Sequence, residues 1–132
     1  MEKIVLDTYA LLAFFFGEKN SDKVEKIIKS ARKKNTVLLM SAVNFGELFY
    51  AVMKKTNPEN AFRAVDMADL IPVLVEGANR DMCLLAGSYK AEKKMSYADC
   101  FAAALAKVHG APLVTGDKEF REIEGEVEII WI

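Results

Sequence analysis

The sequence predicts a three-layer α/β domain, in which helices cover both faces of a parallel sheet. Short apolar segments of strand length alternate along the chain with longer segments that repeat apolar residues at helical spacing. The short segments show no alternation of apolar and polar residues, which is typical of strands buried on both faces of a sheet. Strands that alternate with helices are joined by right-handed crossovers, and these crossovers connect parallel strands.

In the first half of the chain, apolar runs predict strands over residues 4–6 and 36–40. Residues 21–34 form an amphipathic helix in this interpretation, because apolar residues recur every three or four positions among lysines. A second helix is predicted over residues 42–55, directly after the second strand. These elements make up the first strand–helix–strand unit of the sheet.

The second half continues the alternation. A helix starts at Pro58, a residue favoured in the first helical turn, and Gly110 is placed to end another helix. The predicted helices cover residues 58–68, 77–94 and 96–109. The predicted strands cover residues 71–75, 113–115 and 127–131, which brings the total to five.

Length and composition favour a single folded domain over residues 1–132. Hydrophobic residues make up 52% of the chain, and this excludes disordered, collagen-like and disulfide-scaffold proteins. The net charge is −1 and the sequence pI is about 5.9. A nucleic-acid partner would therefore have to meet a local patch of charge, since the overall charge offers no attraction.

The sequence predicts a cytoplasmic protein without a membrane segment. The longest apolar run, Tyr9–Phe16, is far shorter than the roughly 20 residues of a spanning helix. Asp7 interrupts any signal-peptide pattern, so we expect the N-terminal segment to be part of the fold. Cys83 and Cys100 form no metal-binding or redox motif and are expected to be reduced thiols.

Four acidic residues fall where ligands bind in sheets of this kind, beyond the carboxyl ends of the strands. Asp7 directly follows the first strand, and Asp117 follows the strand that ends near Thr115. Glu47 and Asp99 lie early in their helices. Glu47 is the only charged residue in 42–53, and Asp99 is the only one in 98–106. Carboxylates in such apolar helices are rarely buried without a partner.

Each acid also has a structural interpretation that needs no active site. Asp7 is suited to capping the following helix, with Thr8 assisting. Glu47 fits an exposed helix acid, and Asp117 fits a turn. Asp99 stands three residues after Ser96, which matches a capping box. The argument for a site therefore rests on the four acids together, and capping and site roles are compatible.

If the four acids converge, their mutual repulsion has to be relieved. At ~6 Å and an effective dielectric of about 20, each like-charged pair costs about 3 kcal/mol, and six pairs cost roughly 15–20 kcal/mol. This exceeds the stability of a typical domain, about 5–15 kcal/mol. Partial protonation or a bound cation is required, and an all-oxygen ligand set favours Mg²⁺ or Mn²⁺. Hydroxyls of Thr8, Ser41 and Thr115 are candidates to support the ligands.

The residues that carry these acids resemble the PIN domain nucleases, and most closely the VapC-type toxin ribonucleases. The resemblance covers nearly the whole chain. It rests on the order and spacing of four motifs: Ile4–Thr8, Ser41 with Glu47, Ser96–Ala106 and Leu113–Phe120.

The resemblance implies a five-stranded parallel sheet with Asp7, Glu47, Asp99 and Asp117 as catalytic, metal-binding acids and Thr115 in support. It implies that metal-activated water cuts single-stranded or structured RNA to leave a 5′-phosphate. It also implies a homodimer and, for toxin members, a small antitoxin whose peptide lies over the site. Other members are RNA-processing enzymes, so a nuclease that is not a toxin remains an alternative.

Two further features suggest contacts with partners. Lys118 and Lys94 are the candidates for phosphate contact, because they lie nearest the predicted site. The basic run over residues 23–34 fits an ordinary solvated helix face better than an RNA-binding surface. Residues 14–16 are three successive phenylalanines, which cannot all face one way on a helix, so part of this run is a candidate dimer or antitoxin surface.

Several other functions are excluded or weakened by missing motifs. No Gly-rich dinucleotide motif or P-loop is present. Tyr9 stands where a phosphatase of the Asp-x-Asp type needs its second acid. The main rival is a PIN-like module that binds RNA or protein without cutting. Metal-dependent cleavage of RNA separates the two.

Overall fold

In the computed structural model, which describes residues 2–132, five parallel strands form one sheet. Their order across the sheet is β3-β2-β1-β4-β5. The three-layer α/β prediction is therefore confirmed. The strands are β1 (Lys3–Leu6), β2 (Val37–Ser41), β3 (Val73–Glu76), β4 (Leu113–Thr115) and β5 (Ile129–Trp131).

Six α-helices and one 3-10 helix surround the sheet within residues 2–132. The 3-10 helix, Lys118–Ile123, follows β4 and was not predicted from the sequence. The α-helices are α1 (Thr8–Phe15), α2 (Ser21–Lys34), α3 (Ala42–Lys55), α4 (Pro58–Leu70), α5 (Arg80–Glu92) and α6 (Tyr97–His109).

The sheet separates two hydrophobic cores. One core joins α5, α6 and the 3-10 helix to one face of the sheet, and the other joins α1 to α4 to the opposite face. In β1 the fully buried Val5 and Leu6 point into different cores, as alternate residues of a strand do. Burial of both faces of the sheet thus explains why the sequence of this strand does not alternate between apolar and polar residues.

Some predicted boundaries were wrong by a few residues. The helix predicted over 77–94 begins at Arg80, because the Asn79 side chain accepts a hydrogen bond from the backbone N–H of Met82 at 2.9 Å and caps the helix there. The strand predicted over 71–75 starts at Val73, and the strand predicted over 127–131 starts at Ile129.

The phenylalanine run packs more extensively than its sequence suggested. Phe14, Phe15 and Phe16 are all half-buried against the core formed by α1 to α4. The Lys55 ammonium lies 4.5 Å from the ring centre of Phe16. Any contact surface that this run provides is limited to the exposed part of each ring.

The remaining sequence expectations concern thiols and the membrane. Both cysteines are free, with Cys100 buried and Cys83 exposed. Within residues 2–132, no helix combines the length and the apolar character needed to cross a membrane.

Candidate metal centre

The four predicted acids line one cleft of about 220 Å³ at the carboxyl edge of the sheet. Asp7 follows β1 and Asp117 follows β4, and these two strands are neighbours at the centre of the sheet. The strand order reverses between β1 and β4, which is the point where ligands bind in open α/β sheets. The cleft is lined by Asp7, Thr8, Tyr9, Leu12, Glu47, Tyr50, Ala51, Ser96, Asp99 and Asp117.

Asp7 caps α1 and contributes to the cleft at the same time. Its side chain is 1% exposed, and its Oδ1 accepts a hydrogen bond from the Ala10 backbone N–H at 2.9 Å. Its Oδ2 accepts one from the Thr115 hydroxyl. Burial raises the pKa of Asp7 to about 7, although both hydrogen bonds oppose the rise; the charges of Asp117 and Glu47 add to it. The metal-free site therefore holds a carboxyl that titrates near neutral pH.

Asp99 lies both in the first turn of the capped α6 and in the wall of the cleft. Its backbone N–H donates to the Ser96 hydroxyl at 3.2 Å, so the Ser96 cap of α6 is present. Its side chain is 7% exposed, and its Oδ2 is buried without a hydrogen-bond partner among the described residues. Burial, followed by the charge of Asp117, raises the pKa of Asp99 to about 8.

Glu119 joins Asp99 and Asp117 in a cluster that the sequence analysis did not identify. Carboxylate oxygens of these three residues lie within 4.8 Å of one another. Oε1 of Glu119 accepts a hydrogen bond from the backbone N–H of Ser96 at 2.7 Å, and its own N–H donates to Oδ1 of Asp117 at 2.9 Å. The spacing Asp117-x-Glu119 was a visible signal, but the 3-10 helix that directs Glu119 toward α6 was not.

The Glu47 carboxylate accepts a hydrogen bond from a threonine hydroxyl. The Thr8 hydroxyl donates to Oε1 of Glu47. The Thr8 hydroxyl oxygen also lies 3.2 Å from the carbonyl oxygen of Asn44. Asn44 was missed by the sequence analysis. It is fully buried, and its amide donates to the carbonyl of Ala98 at 3.1 Å, which ties α3 to the start of α6. An asparagine among the mostly apolar residues of the first turn of α3 was the available signal.

The supporting hydroxyls divide into two groups. Thr115 and Thr8 contact the acids as described, and Thr115 Oγ1 also accepts the Asp117 backbone N–H at 3.0 Å. Ser41 does not line the cleft. Its hydroxyl oxygen accepts the Val43 N–H at 3.2 Å and caps α3, and within residues 2–132 it makes no hydrogen bond to the acids.

The predicted phosphate-binding lysines lie outside the cleft. Lys118 and Lys94 are both exposed, and neither lines it. The backbone N–H of Lys94 donates to Oε1 of Glu122 at 3.0 Å, so this loop is fixed to the 3-10 helix while the Lys94 side chain extends into solvent. Their role in binding RNA stays a prediction.

The donor set fits a hard divalent cation. It consists only of carboxylate oxygens, which suit Mg²⁺ or Mn²⁺ and not a thiolate- or imidazole-seeking metal. The buried, unpartnered Oδ2 of Asp99 is a costly feature unless a proton or a cation satisfies it. Mutual repulsion of the clustered carboxylates is relieved in the same way.

Comparison with known proteins places the chain in a family. Residues 4–126 match the family model described as the PIN domain, so the chain belongs to the PIN domain family, which comprises nucleases. No curated protein sequence matches the chain significantly.

Solved structures of VapC toxins and VapBC toxin–antitoxin complexes share the fold. VapC20 of Mycobacterium tuberculosis, described as a sarcin-ricin loop cleaving toxin, has a TM-score of 0.78 at 20% identity and covers 95% of this chain and 97% of its own. The DNA-bound VapBC of Salmonella typhimurium has a TM-score of 0.80 at 20% identity, covering 98% of each chain. VapBC-1 of nontypeable Haemophilus influenzae has a TM-score of 0.69 at 24% identity, covering 98% of this chain and 97% of its own.

Proposed function

We propose that the chain is an endoribonuclease that depends on Mg²⁺ or Mn²⁺ and hydrolyses RNA phosphodiester bonds. The observation that carries this proposal is the convergence of Asp7, Glu47, Asp99 and Asp117 on one cleft. Two of these carboxyls are at least nine-tenths buried. Such crowding is unfavourable for folding alone, and it is the arrangement that a cation-dependent hydrolase requires.

In this proposal the four acids hold the cation. Asp99 and Asp117 also form, with Glu119, the group whose carboxylate oxygens lie within 4.8 Å of one another, and Asp7 and Glu47 line the cleft beside this group. When bound, a divalent ion supplies a more acidic water and offsets the charge of the phosphodiester. The protein itself supplies position: the Thr115 hydroxyl holds Asp7, and the Thr8 hydroxyl holds Glu47. Fixed ligands keep the geometry of the site when the cation and the RNA bind.

Cleavage of RNA with and without the cation tests the proposal. We expect labelled RNA to be cut in the presence of Mn²⁺ or Mg²⁺, and cutting to stop with chelator. Asp99→Asn and Asp7→Asn should each reduce the rate by at least ~100-fold, the scale on which loss of catalytic groups is felt. Asp69→Asn, on the exposed face of α4, is the matched control and should cut normally. RNA binding without cleavage in every form would favour the silent binding module.

The finer proposal is that this nuclease is a cytoplasmic toxin held by a small antitoxin. It is supported by the family resemblance and by the similar folds of the VapBC toxin–antitoxin complexes. Expression of the wild-type chain alone should stop bacterial growth, whereas Asp99→Asn should not. Arrest by both forms would point to toxicity unrelated to the site, and growth with both would favour an RNA-processing nuclease.

We also propose that the chain forms a homodimer, with the exposed parts of Phe14, Phe15 and Phe16 as the candidate contact. Sedimentation equilibrium measures the mass directly. The expected value is twice the 14.7 kDa of one chain. A monomer at all concentrations would contradict this part of the proposal alone.

A further inference from the structure

Two exposed tyrosines stand beside the carboxylates. Tyr9 and Tyr50 both line the cleft, and they are 39% and 58% exposed. A single exposed apolar side chain needs no explanation, but two exposed aromatic rings in the wall of one candidate active site are a different observation. A ligand that enters the cleft meets the exposed part of both side chains.

Two other exposed aromatic side chains, Phe62 and Tyr97, are already in contact with a second ring. Phe62 packs edge-on against Phe49 with ring centres 5.0 Å apart, and Tyr97 packs against Phe101 at 4.9 Å. In the part of the chain that the structure describes, Tyr9 and Tyr50 have no such ring partner. Trp131 is also exposed without a ring partner, but it lies on β5 outside the cleft, where its Nε1–H donates to Oε2 of Glu124 at 3.1 Å. Tyr9 and Tyr50 are therefore the open rings at the site.

The ring of Tyr9 is held in place from two sides. It lies so close to Gly116 that a Cβ added there would be 2.3 Å from Tyr9 Cε1, so a larger residue would displace the ring from its present position. The Asn20 side-chain amide donates to the Tyr9 hydroxyl at 3.4 Å. Gly116 directly precedes Asp117, so the ring rests on the turn that presents a metal-site carboxylate.

Tyr50 is placed by α3. It follows Glu47 by three residues, and residues at this spacing lie on the same face of a helix. The ring of Tyr50 is therefore within one helical turn of the Glu47 carboxylate. The two tyrosines come from different elements, α1 and α3, and both belong to the wall of the cleft.

We propose that Tyr9 and Tyr50 stack on unpaired bases of the RNA next to the phosphodiester that is cut. This inference rests on the proposed ribonuclease function and names two residues that position its substrate. Every base has a π-face that an aromatic side chain can stack on, but in a duplex these faces are covered by neighbouring base pairs. The two rings therefore favour unpaired nucleotides at the cut and do not by themselves select a base.

Cleavage kinetics with Mn²⁺ and a single-stranded oligoribonucleotide test this. Loss of one stacking contact is expected to lower kcat/KM by roughly 5- to 150-fold in Tyr50→Ala and in Tyr9→Ala. Tyr50→Phe keeps the ring and should stay within about twofold of the wild type by the same argument. Phe62→Ala removes an equally exposed ring outside the cleft and should leave kcat/KM unchanged.

A double-mutant cycle separates stacking from a merely structural role. Single abasic nucleotides are placed on either side of the cut, one at a time. At the contacted position an abasic site should lower wild-type kcat/KM as much as Tyr50→Ala does, and it should have no further effect on Tyr50→Ala. A structural defect in the variant would instead leave the two effects additive at every position. Mn²⁺ affinity should be the same in Tyr50→Ala and in the wild type.

Two results would overturn the inference. One is a kcat/KM equal to that of the wild type in both alanine variants, and the other is that the effects of the abasic site and of Tyr50→Ala add at every position. The two rings would then be candidates for contact with a protein partner. Absence of cleavage by the wild type overturns the ribonuclease proposal instead. The same variants are then compared by fluorescence anisotropy with the same RNA. Weaker binding in Tyr50→Ala but not in Phe62→Ala supports stacking, and equal binding refutes it.

Discussion

Replacing Asp7 by asparagine should stabilise the metal-free protein at alkaline pH while it removes activity. Asparagine and aspartate are equally good helix caps, so the bond from the Ala10 backbone N–H can be kept. The substitution removes the charge and changes the group that faces the Thr115 hydroxyl from an acceptor to a donor, a bond that this hydroxyl can reverse. Asp7 is the most deeply buried acid of the cleft.

The magnitude follows from the pKa of Asp7, which burial raises from 3.8 to about 7. Between these values the folded protein keeps a proton that the unfolded chain has released. The free energy of unfolding therefore falls as the pH rises through this window and is level above it. About three pH units at 1.36 kcal/mol each give a loss of about 4 kcal/mol by pH 8. Asp7→Asn should recover up to this amount at pH 8 and little at pH 4.

Urea unfolding of metal-free protein from pH 4 to 8 measures the effect. The wild type should lose stability across this range, and Asp7→Asn should show a shallower slope that reflects Asp99 alone. The exposed control Asp69→Asn should follow the wild type. Equal slopes for Asp7→Asn and the wild type, or lower stability of the variant at pH 8, would refute the account of the cleft as a strained cluster of charges.

Three further predictions concern the same site. Mn²⁺ at about 100 times its Kd should raise the free energy of unfolding by about 2.7 kcal/mol at pH 8. The increase should be much smaller at pH 5, because protons compete with the cation for Asp7. Calorimetry with and without chelator measures both values. Glu119→Gln keeps an acceptor for the Ser96 N–H and should weaken Mn²⁺ binding by about 10-fold, the scale of one perturbed ligand contact. The control Glu122→Gln, in the same 3-10 helix, should leave Mn²⁺ affinity unchanged. The same Mn²⁺ affinity in Glu119→Gln and the wild type would exclude Glu119 from the site. Thr115→Val removes the hydroxyl bonded to Asp7 and should cost about 1–3 kcal/mol in urea unfolding, and an unchanged midpoint would contradict that hydrogen bond.

The sequence predicted most of the fold because the signals are local. The apolar runs around Val5 and Leu39 are buried from both sides, and their lack of alternation shows this directly. Helix ends at Ser96 and Gly110 were visible from capping residues. The 3-10 helix after β4 was not visible, because six residues without a regular apolar period carry no clear signal.

The sequence predicted that Asp7, Glu47, Asp99 and Asp117 lie together, and they line one cleft. This was predictable because the position of each acid relative to its strand or helix is a local property. The parallel sheet then requires the ends of β1 and β4 to meet. Glu119 and Asn44 were missed because their contacts join the 3-10 helix and α3 to α6, over distances along the chain that no local pattern describes.

The sequence by itself determined which segments are buried, which strands run parallel and which edge of the sheet collects the acids, since hydrophobic pattern and chain order are sufficient for that. Only the tertiary structure decided how deeply each carboxyl is buried, that Ser41 caps α3 instead of reaching the cleft, and that Tyr9 and Tyr50 remain open beside it. Burial and mutual distance depend on packing between elements far apart in the chain. The pKa values of the acids depend on that packing as well.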